Sequence, residues 1–168
     1  MKRQFFIYSL PRSGSSWLSQ FLSMPGSFCY HEPLADHTLP DILDKMETRP
    51  EPCVGLIDTS AHQKDLAKLE NCNYYVIHRD LQEIDKSLKL KGWVINIQEE
   101  QKKLHLASAA AGCINLHYKW FNDLGYLRNV WDSIVDSPFD QERAEYLMEM
   151  NVQREFASVK KRVERCRA

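Results

Sequence analysis

No apolar run in this sequence approaches the roughly 20 residues that span a bilayer, the longest being short stretches such as Phe5 to Tyr8. A charged leader, a long apolar segment and a small-residue cleavage site are also missing, because a β-type run, Gln4 to Leu10, follows Met1 almost at once. No signal peptide is therefore expected. There is no excess of charge of either sign: Lys plus Arg number 22 against 23 Asp plus Glu. That balance removes nucleic acid and membrane surfaces as default partners. The five cysteines, at 29, 53, 72, 113 and 166, are odd in number and widely spaced, and contain no C-x-x-C pair. They fit neither a disulfide framework nor a zinc site, which points to a reducing compartment and a soluble, cytoplasmic protein. Internal repeats, low-complexity tracts and Gly/Ser-rich linkers are lacking too. A chain of 168 residues with 43% hydrophobic content then reads as one domain around one core.

What is present is an alternation. Four short runs rich in β-branched, aromatic or apolar residues read as strands: Phe5 to Leu10, Phe28 to Tyr30, Val54 to Ile57 and Tyr74 to Ile77. Each precedes a plausible helix: Ser15 to Ser23, Leu39 to Thr48, Gln63 to Glu70 and Leu81 to Leu90, the second entered through the cap-like pair Thr38 and Pro40. Strand-helix alternation predicts an α/β fold with a parallel sheet of about four to five strands covered by helices. Residues 1–90 form the α/β part of this expected domain, and residues 91–168 are expected to be helical. There, Leu104, Ala107, Ala111, Ile114, Tyr118 and Phe121 follow a helical spacing, as do Val152, Phe156, Val159 and Val163. Ser137-Pro138 before Phe139 reads as an N-cap with proline at the first helical position, predicting a final helix from that point.

The segment Ser9-Leu10-Pro11-Arg12-Ser13-Gly14-Ser15-Ser16-Trp17 lies where the first strand ends and a helix starts. Unpaired backbone N–H groups and the helix dipole favour an anion at such a place. Set against the Walker A pattern, Ser9 stands for the first glycine and Ser15 for the lysine, while Arg12 brings a cation from inside the loop. That disfavours an ordinary ATP or GTP enzyme. A second reading of the segment alone is a Ser/Gly turn that merely caps a helix.

Pro11-Arg12-Ser13-Gly14-Ser15-Ser16-Trp17 resembles the 5′-phosphosulfate loop of the sulfotransferases, and Tyr74-Tyr75-Val76-Ile77-His78-Arg79-Asp80 is similar to that family's 3′-phosphate strand. Ser87 lies eight residues past Arg79, the family's spacing for its Arg and Ser pair. The resemblance implies a P-loop-like sulfotransferase fold that binds 3′-phosphoadenosine-5′-phosphosulfate (PAPS). Arg12, Ser13, Gly14, Ser15 and Ser16 would meet the phosphosulfate end, Trp17 the adenine, and Arg79 and Ser87 the 3′-phosphate, through a forked cation and a hydroxyl. For Trp17 two readings stand: packing against adenine, as the resemblance implies, or an ordinary core aromatic. The resemblance covers residues 5 to 90 and fades beyond them. The late Arg-Lys-Gly loop of cytosolic members does not occur. Six cations from Arg154 onward, Arg154, Lys160, Lys161, Arg162, Arg165 and Arg167, read first as a solvated helix end and second as a substitute for that loop.

Sulfuryl transfer needs in-line geometry, stabilisation of the leaving phosphate and a base for the acceptor proton. Arg12 and the loop N–H groups suit the leaving group. A sulfuryl group carries less charge than a phosphoryl group, so no metal is expected. The Lys-Thr-His of cytosolic members is replaced by Asp58-Thr59-Ser60, whereas Glu32-Pro33-Leu34 matches the Glu-Pro-Leu of carbohydrate-type and bacterial members. Glu32 is thus the first candidate base, with His31 and Asp58 next and His62 behind them; Asp58 reads equally as a helix cap, and His78 as a buried spacer. Pro33 is expected to hold Glu32 extended. The acceptor is expected to be a hydroxyl or amine of a small molecule or carbohydrate. Two alternatives remain: a Mg²⁺-dependent nucleotide or nucleoside kinase, and a non-catalytic module that binds adenosine 3′,5′-bisphosphate (PAP).

Overall fold

The structure is a computed structural model that describes residues 2–59, 72–109 and 112–150. Its sheet is centred on β1 (Arg3–Ser9), whose Phe5, Phe6, Ile7 and Tyr8 are all buried. A strand buried on both faces must be interior, and β1 sits third of five in the order β2-β3-β1-β4-β5. The other strands are β2 (Ser27–His31), β3 (Cys53–Asp58), β4 (Cys72–His78) and β5 (Ile114–His117), and every neighbouring pair is parallel.

Among the described residues six α-helices flank the sheet: α1 (Ser15–Phe21), α2 (Leu39–Thr48), α3 (Leu81–Lys89), α4 (Ile97–Ser108), α5 (Leu124–Ile134) and α6 (Gln141–Glu149). Alternate side chains of a strand point to opposite faces, and β1 sorts accordingly. Phe5 and Ile7 join Leu18, Phe21, Leu127, Trp131 and Leu147 of α1, α5 and α6. Phe6 and Tyr8 join Ile42, Met46, Ile84, Leu88 and Leu104 of α2, α3 and α4. The result is three layers, α/β/α. Gly55 lies opposite Phe5 in the register of β1 and β3. A Cβ on Gly55 would come within 2.3 Å of the Phe5 ring, so the ring occupies the space that a side chain at 55 would need.

The α/β class and the strand count agree with the sequence reading, and α2 begins and ends where the spacing placed it. Thr38 caps α2 in a capping box with Asp41, whose carboxylate accepts from the Thr38 N–H and hydroxyl. Two local expectations differ. Ile114 belongs to β5 and not to a helical stripe; Leu104 and Ala107 are on α4, while Tyr118 and Phe121 lie in and just after a 3₁₀ turn, Tyr118–Trp120. The apparent stripe was three elements read as one. The last described helix starts at Gln141 under an Asp140 cap, because Ser137 is engaged elsewhere: its carbonyl accepts from Trp131 Nε1 at 2.7 Å and its hydroxyl donates to Pro25 O at 3.1 Å. The expected helix Gln63 to Glu70, His62, the stripe from Val152 to Val163 and the basic stretch from Arg154 lie outside the described residues.

Candidate functional site

In a parallel sheet the strand ends and helix starts gather at one edge, and ligands bind there. The loop between β1 and α1 turns at that edge. Arg12 has φ 68 and Gly14 φ 90, both left-handed. For arginine that conformation costs about 1–3 kcal/mol, so it must be held by its surroundings. The guanidinium of Arg79, just past β4, supplies one restraint by donating Nη1–H to the carbonyl of Arg12 at 2.8 Å. Ser87 supplies another, its Oγ accepting from Arg12 Nε at 2.8 Å.

Ser87 reaches the loop because of how α3 starts. Asp80 caps that helix, accepting from the N–H groups of Gln82 and Glu83 at 2.9 and 3.1 Å. Two turns later Ser87 is over the strand tip. Arg79 also pairs with Glu83 Oε2 at 3.0 Å, and its guanidinium carbon lies 4.2 Å from the centre of the Tyr118 ring. Arg12, Arg79 and Ser87 thus line one cavity of about 1090 Å³, together with Gly14, Trp17 and Tyr118.

Tyr118 lies close over the loop: a Cβ on Gly14 would be 2.5 Å from its ring, so only glycine fits between them. Trp17 meets the cavity too, but its ring stacks with Phe21 at 5.5 Å and Phe121 at 5.7 Å between centroids, and its Nε1–H is donated to Leu147 O at 2.8 Å. Here Trp17 is a core aromatic. Within the loop Ser13 is wholly buried, as is Ser9 before it, and neither hydroxyl has a hydrogen-bond partner among the described residues.

The described candidate bases lie at the carboxyl ends of β2 (His31, Glu32) and β3 (Asp58) and are not among the residues that line this cavity. His31 Nε2 is 3.1 Å from both Ser15 Oγ and Ser16 Oγ, tying β2 to the first turn of α1. Burial pushes the His31 imidazole below its ordinary pKa, against the opposing pull of Glu32 and Asp58. Glu32 Oε1 is 4.0 Å from His31 Nε2, and its side chain is 41% exposed. Glu32 is not extended as expected: it has φ 50 and ψ 45 and opens a 3₁₀ turn, Pro33–Ala35. Proline disfavours the right-handed helical region for the residue before it, and the left-handed region satisfies that constraint as an extended conformation would. Asp58 is buried and accepts from the Leu34 N–H at 2.9 Å, fastening that turn to β3.

His78 differs from its sequence reading as a buried spacer. It lines the cavity, stacks on His117 at 5.3 Å between centroids, and has Nε2 2.7 Å from Asn115 Oδ1. Burial first, then His78 and Lys119, lower the pKa of His117. Tyr118 and His117 were missed by the site reading because their segment was assigned to a helical stripe. The four-residue alternation Ile114-Asn115-Leu116-His117 directly before Tyr118 was the one local signal.

No protein-family model matches the sequence, and neither does any curated protein sequence. Among solved structures, mouse sulfotransferase SULT7A1 complexed with PAP matches with a TM-score of 0.60 at 14% sequence identity, over 86% of this chain and 63% of that one. The likeness is one of fold: this chain has the P-loop-like α/β fold seen in that sulfotransferase and spans about 63% of its length.

Proposed function

We propose that this protein binds PAPS across the cavity at the carboxyl edge of the sheet and transfers its sulfuryl group to a hydroxyl or amine acceptor. The observation that carries the reading is the convergence of Arg12, Arg79 and Ser87, from β1, β4 and α3, on one cavity. Two guanidinium groups and a hydroxyl at the end of a parallel sheet form a donor set for two phosphate-type anions. The residues fit such a ligand in further respects. Gly14 keeps the loop free of a side chain beneath Tyr118, and Ser13 holds a buried hydroxyl in the loop without a partner among the described residues.

In this reading PAPS supplies the sulfuryl group and PAP leaves. Arg79 and Ser87 select the 3′-phosphate. Arg12 and the loop N–H groups stabilise charge on the departing 5′-phosphate. His31 positions Ser15 and Ser16, whose hydroxyls it holds. Glu32 takes the acceptor proton; its carboxylate is accessible, whereas that of Asp58 is buried on a backbone N–H. A small-molecule or carbohydrate acceptor suits an open site of this kind. The position of Glu32 and His31 outside the cavity lining favours a second reading, a PAP-binding module without transfer. Calorimetric titration with PAP, followed by transfer of labelled sulfate from PAPS to a panel of phenols, amines and sugars, tests both. Binding with transfer supports the enzyme, binding without transfer across the panel supports the module, and no binding removes both.

A further inference from the structure

Between Asp85 and Glu99 the chain has three lysines, Lys86, Lys89 and Lys91, and no acidic residue, in a protein whose formal net charge is −1. The same stretch contains the two most exposed large apolar side chains among the described residues, Val94 at 99% and Leu90 at 79%, with Trp93 at 54%. Exposed apolar groups gathered in one place mark an interaction site more often than isolated ones do.

The turn that presents them is well fastened. At its start Leu88 is buried in the core and its carbonyl accepts from the N–H groups of Lys91 at 2.9 Å and Trp93 at 3.1 Å. At its end Ile95 and Ile97 pack back against the core, and Asn96 caps α4 through the Glu99 N–H. Between them Gly92 takes φ 70, and a Cβ there would meet nothing within 4 Å. The turn therefore projects, with its apolar side chains pointing away from the body that anchors it.

A projecting apolar tip with exposed Lys86 and Lys89 on the helix before it and exposed Lys91 within it fits a partner that is anionic at its surface and apolar beneath, without needing a complementary groove. We propose that residues 90–94 form a docking tip for anionic lipid bilayers. Leu90, Trp93 and Val94 enter the interfacial region, where tryptophan is at home. Lys86, Lys89 and Lys91 meet the headgroups, their aliphatic stems following the apolar surface. Asp85 offsets this only in part, through an exposed i,i+4 pair with Lys89 at 2.5 Å. The balance of charge over the whole chain speaks against a membrane partner; the local segment carries the opposite sign of argument. Because Ser87 lies in the last turn of α3 and Leu90 directly follows that helix, docking would hold the edge of the cavity within about a turn of the lipid surface. The proposal does not depend on the sulfuryl-transfer reading.

Vesicle co-sedimentation of the full chain tests it, with phosphatidylcholine alone and with added phosphatidylserine. Binding is expected to the serine-lipid vesicles, to weaken with salt, and to fall about fivefold for each lysine removed, hence about twenty-five-fold for K86Q/K91Q. W93S/V94S should not bind, with circular dichroism and melting unchanged because both side chains are exposed. Brominated acyl chains should quench wild-type fluorescence and leave Trp93→Phe unquenched by comparison. Equal binding to both vesicle types, unchanged binding of W93S/V94S, or a dimer in vesicle-free solution that those two substitutions abolish would overturn the proposal, the last by assigning the tip to a second copy of the chain.

Discussion

Arg12 Nε and Ser87 Oγ meet at 2.8 Å although 75 positions separate them in the chain. The hydroxyl of a helix reached through β4 is thus bonded to the cation of the loop that follows β1. The segment after β1 and the helix after β4 are therefore one hydrogen-bonded unit.

PAP should raise the melting temperature far more than AMP or ATP. A ligand at a hundredfold excess over its dissociation constant adds about 2.7 kcal/mol to apparent stability. Arg79→Ala should remove the preference for PAP over AMP in the same thermal scan, since Arg79 is the proposed 3′-phosphate cation. Equal shifts from PAP and AMP in the unaltered protein would end that assignment.

Arg12→Ala should depress transfer from PAPS strongly, by about 2–4 kcal/mol in transition-state stabilisation, and Arg12→Lys should retain more activity. The reaction should continue in EDTA, because a transferring sulfuryl group has less negative charge to neutralise than a phosphoryl group. Activity that returns only with added Mg²⁺ would point instead to phosphoryl chemistry.

Glu32→Gln is nearly isosteric and cannot take a proton. It should bind PAP normally and lose about 10²- to 10⁴-fold in turnover if Glu32 is the base. His31→Asn should act differently: with the contacts to Ser15 and Ser16 altered, PAP affinity should fall along with turnover. Unchanged turnover in E32Q would place the base elsewhere, and a loss of turnover in H31N with PAP affinity intact would then assign it to His31.

Stability should decline as the pH falls below about 6.5, above the range in which ordinary carboxylates titrate. His31 and His117 have folded-state pKa values below the ordinary 6.5 because of burial. The unfolded chain therefore binds more protons in this window, and protonation favours unfolding. The contribution is fully present above 6.5 and is lost as the pH drops from there through the folded values. Denaturant melts across pH 5 to 8 measure it, and His31→Asn should flatten the acid side; an unchanged slope would mean that His31 is not buried enough to matter.

Much of the fold was legible because local and tertiary signals coincide in the first half. The run Phe5-Phe6-Ile7-Tyr8 is apolar on both faces, which suits an interior parallel strand, and Thr38, Pro40 and Asp41 mark the start of α2 by their capping chemistry alone. Arg79 and Ser87 could be associated from their spacing, since a strand end followed by a capped helix fixes where the second turn falls, but the bond of Ser87 to Arg12 had no local signal. The second half was harder to read. Ile114 to His117 is a four-residue strand of which only Leu116 is buried, too short for alternation to be told from helical spacing. The Asp140 cap competes with an equally good local signal at Ser137, and that choice is made by Trp131 and Pro25, one of them far away in the chain. The left-handed turn at Glu32 was hidden for a similar reason: Asp58 of a neighbouring strand holds the turn by binding the Leu34 N–H.

The strand order has a consequence for how the chain is made. β1 is complete after nine residues, yet its two partners are β3, ending at Asp58, and β4, ending at His78. At roughly 5–20 residues per second of synthesis, several seconds pass in which this strand has two open edges. An unpaired β segment whose only charge is Arg3, at its start, is a template for association with other chains. Newly made protein should therefore be most vulnerable to aggregation, and most in need of a chaperone, before β4 has emerged, and truncations that end before residue 72 should be insoluble however well their remaining residues would pack in the finished fold.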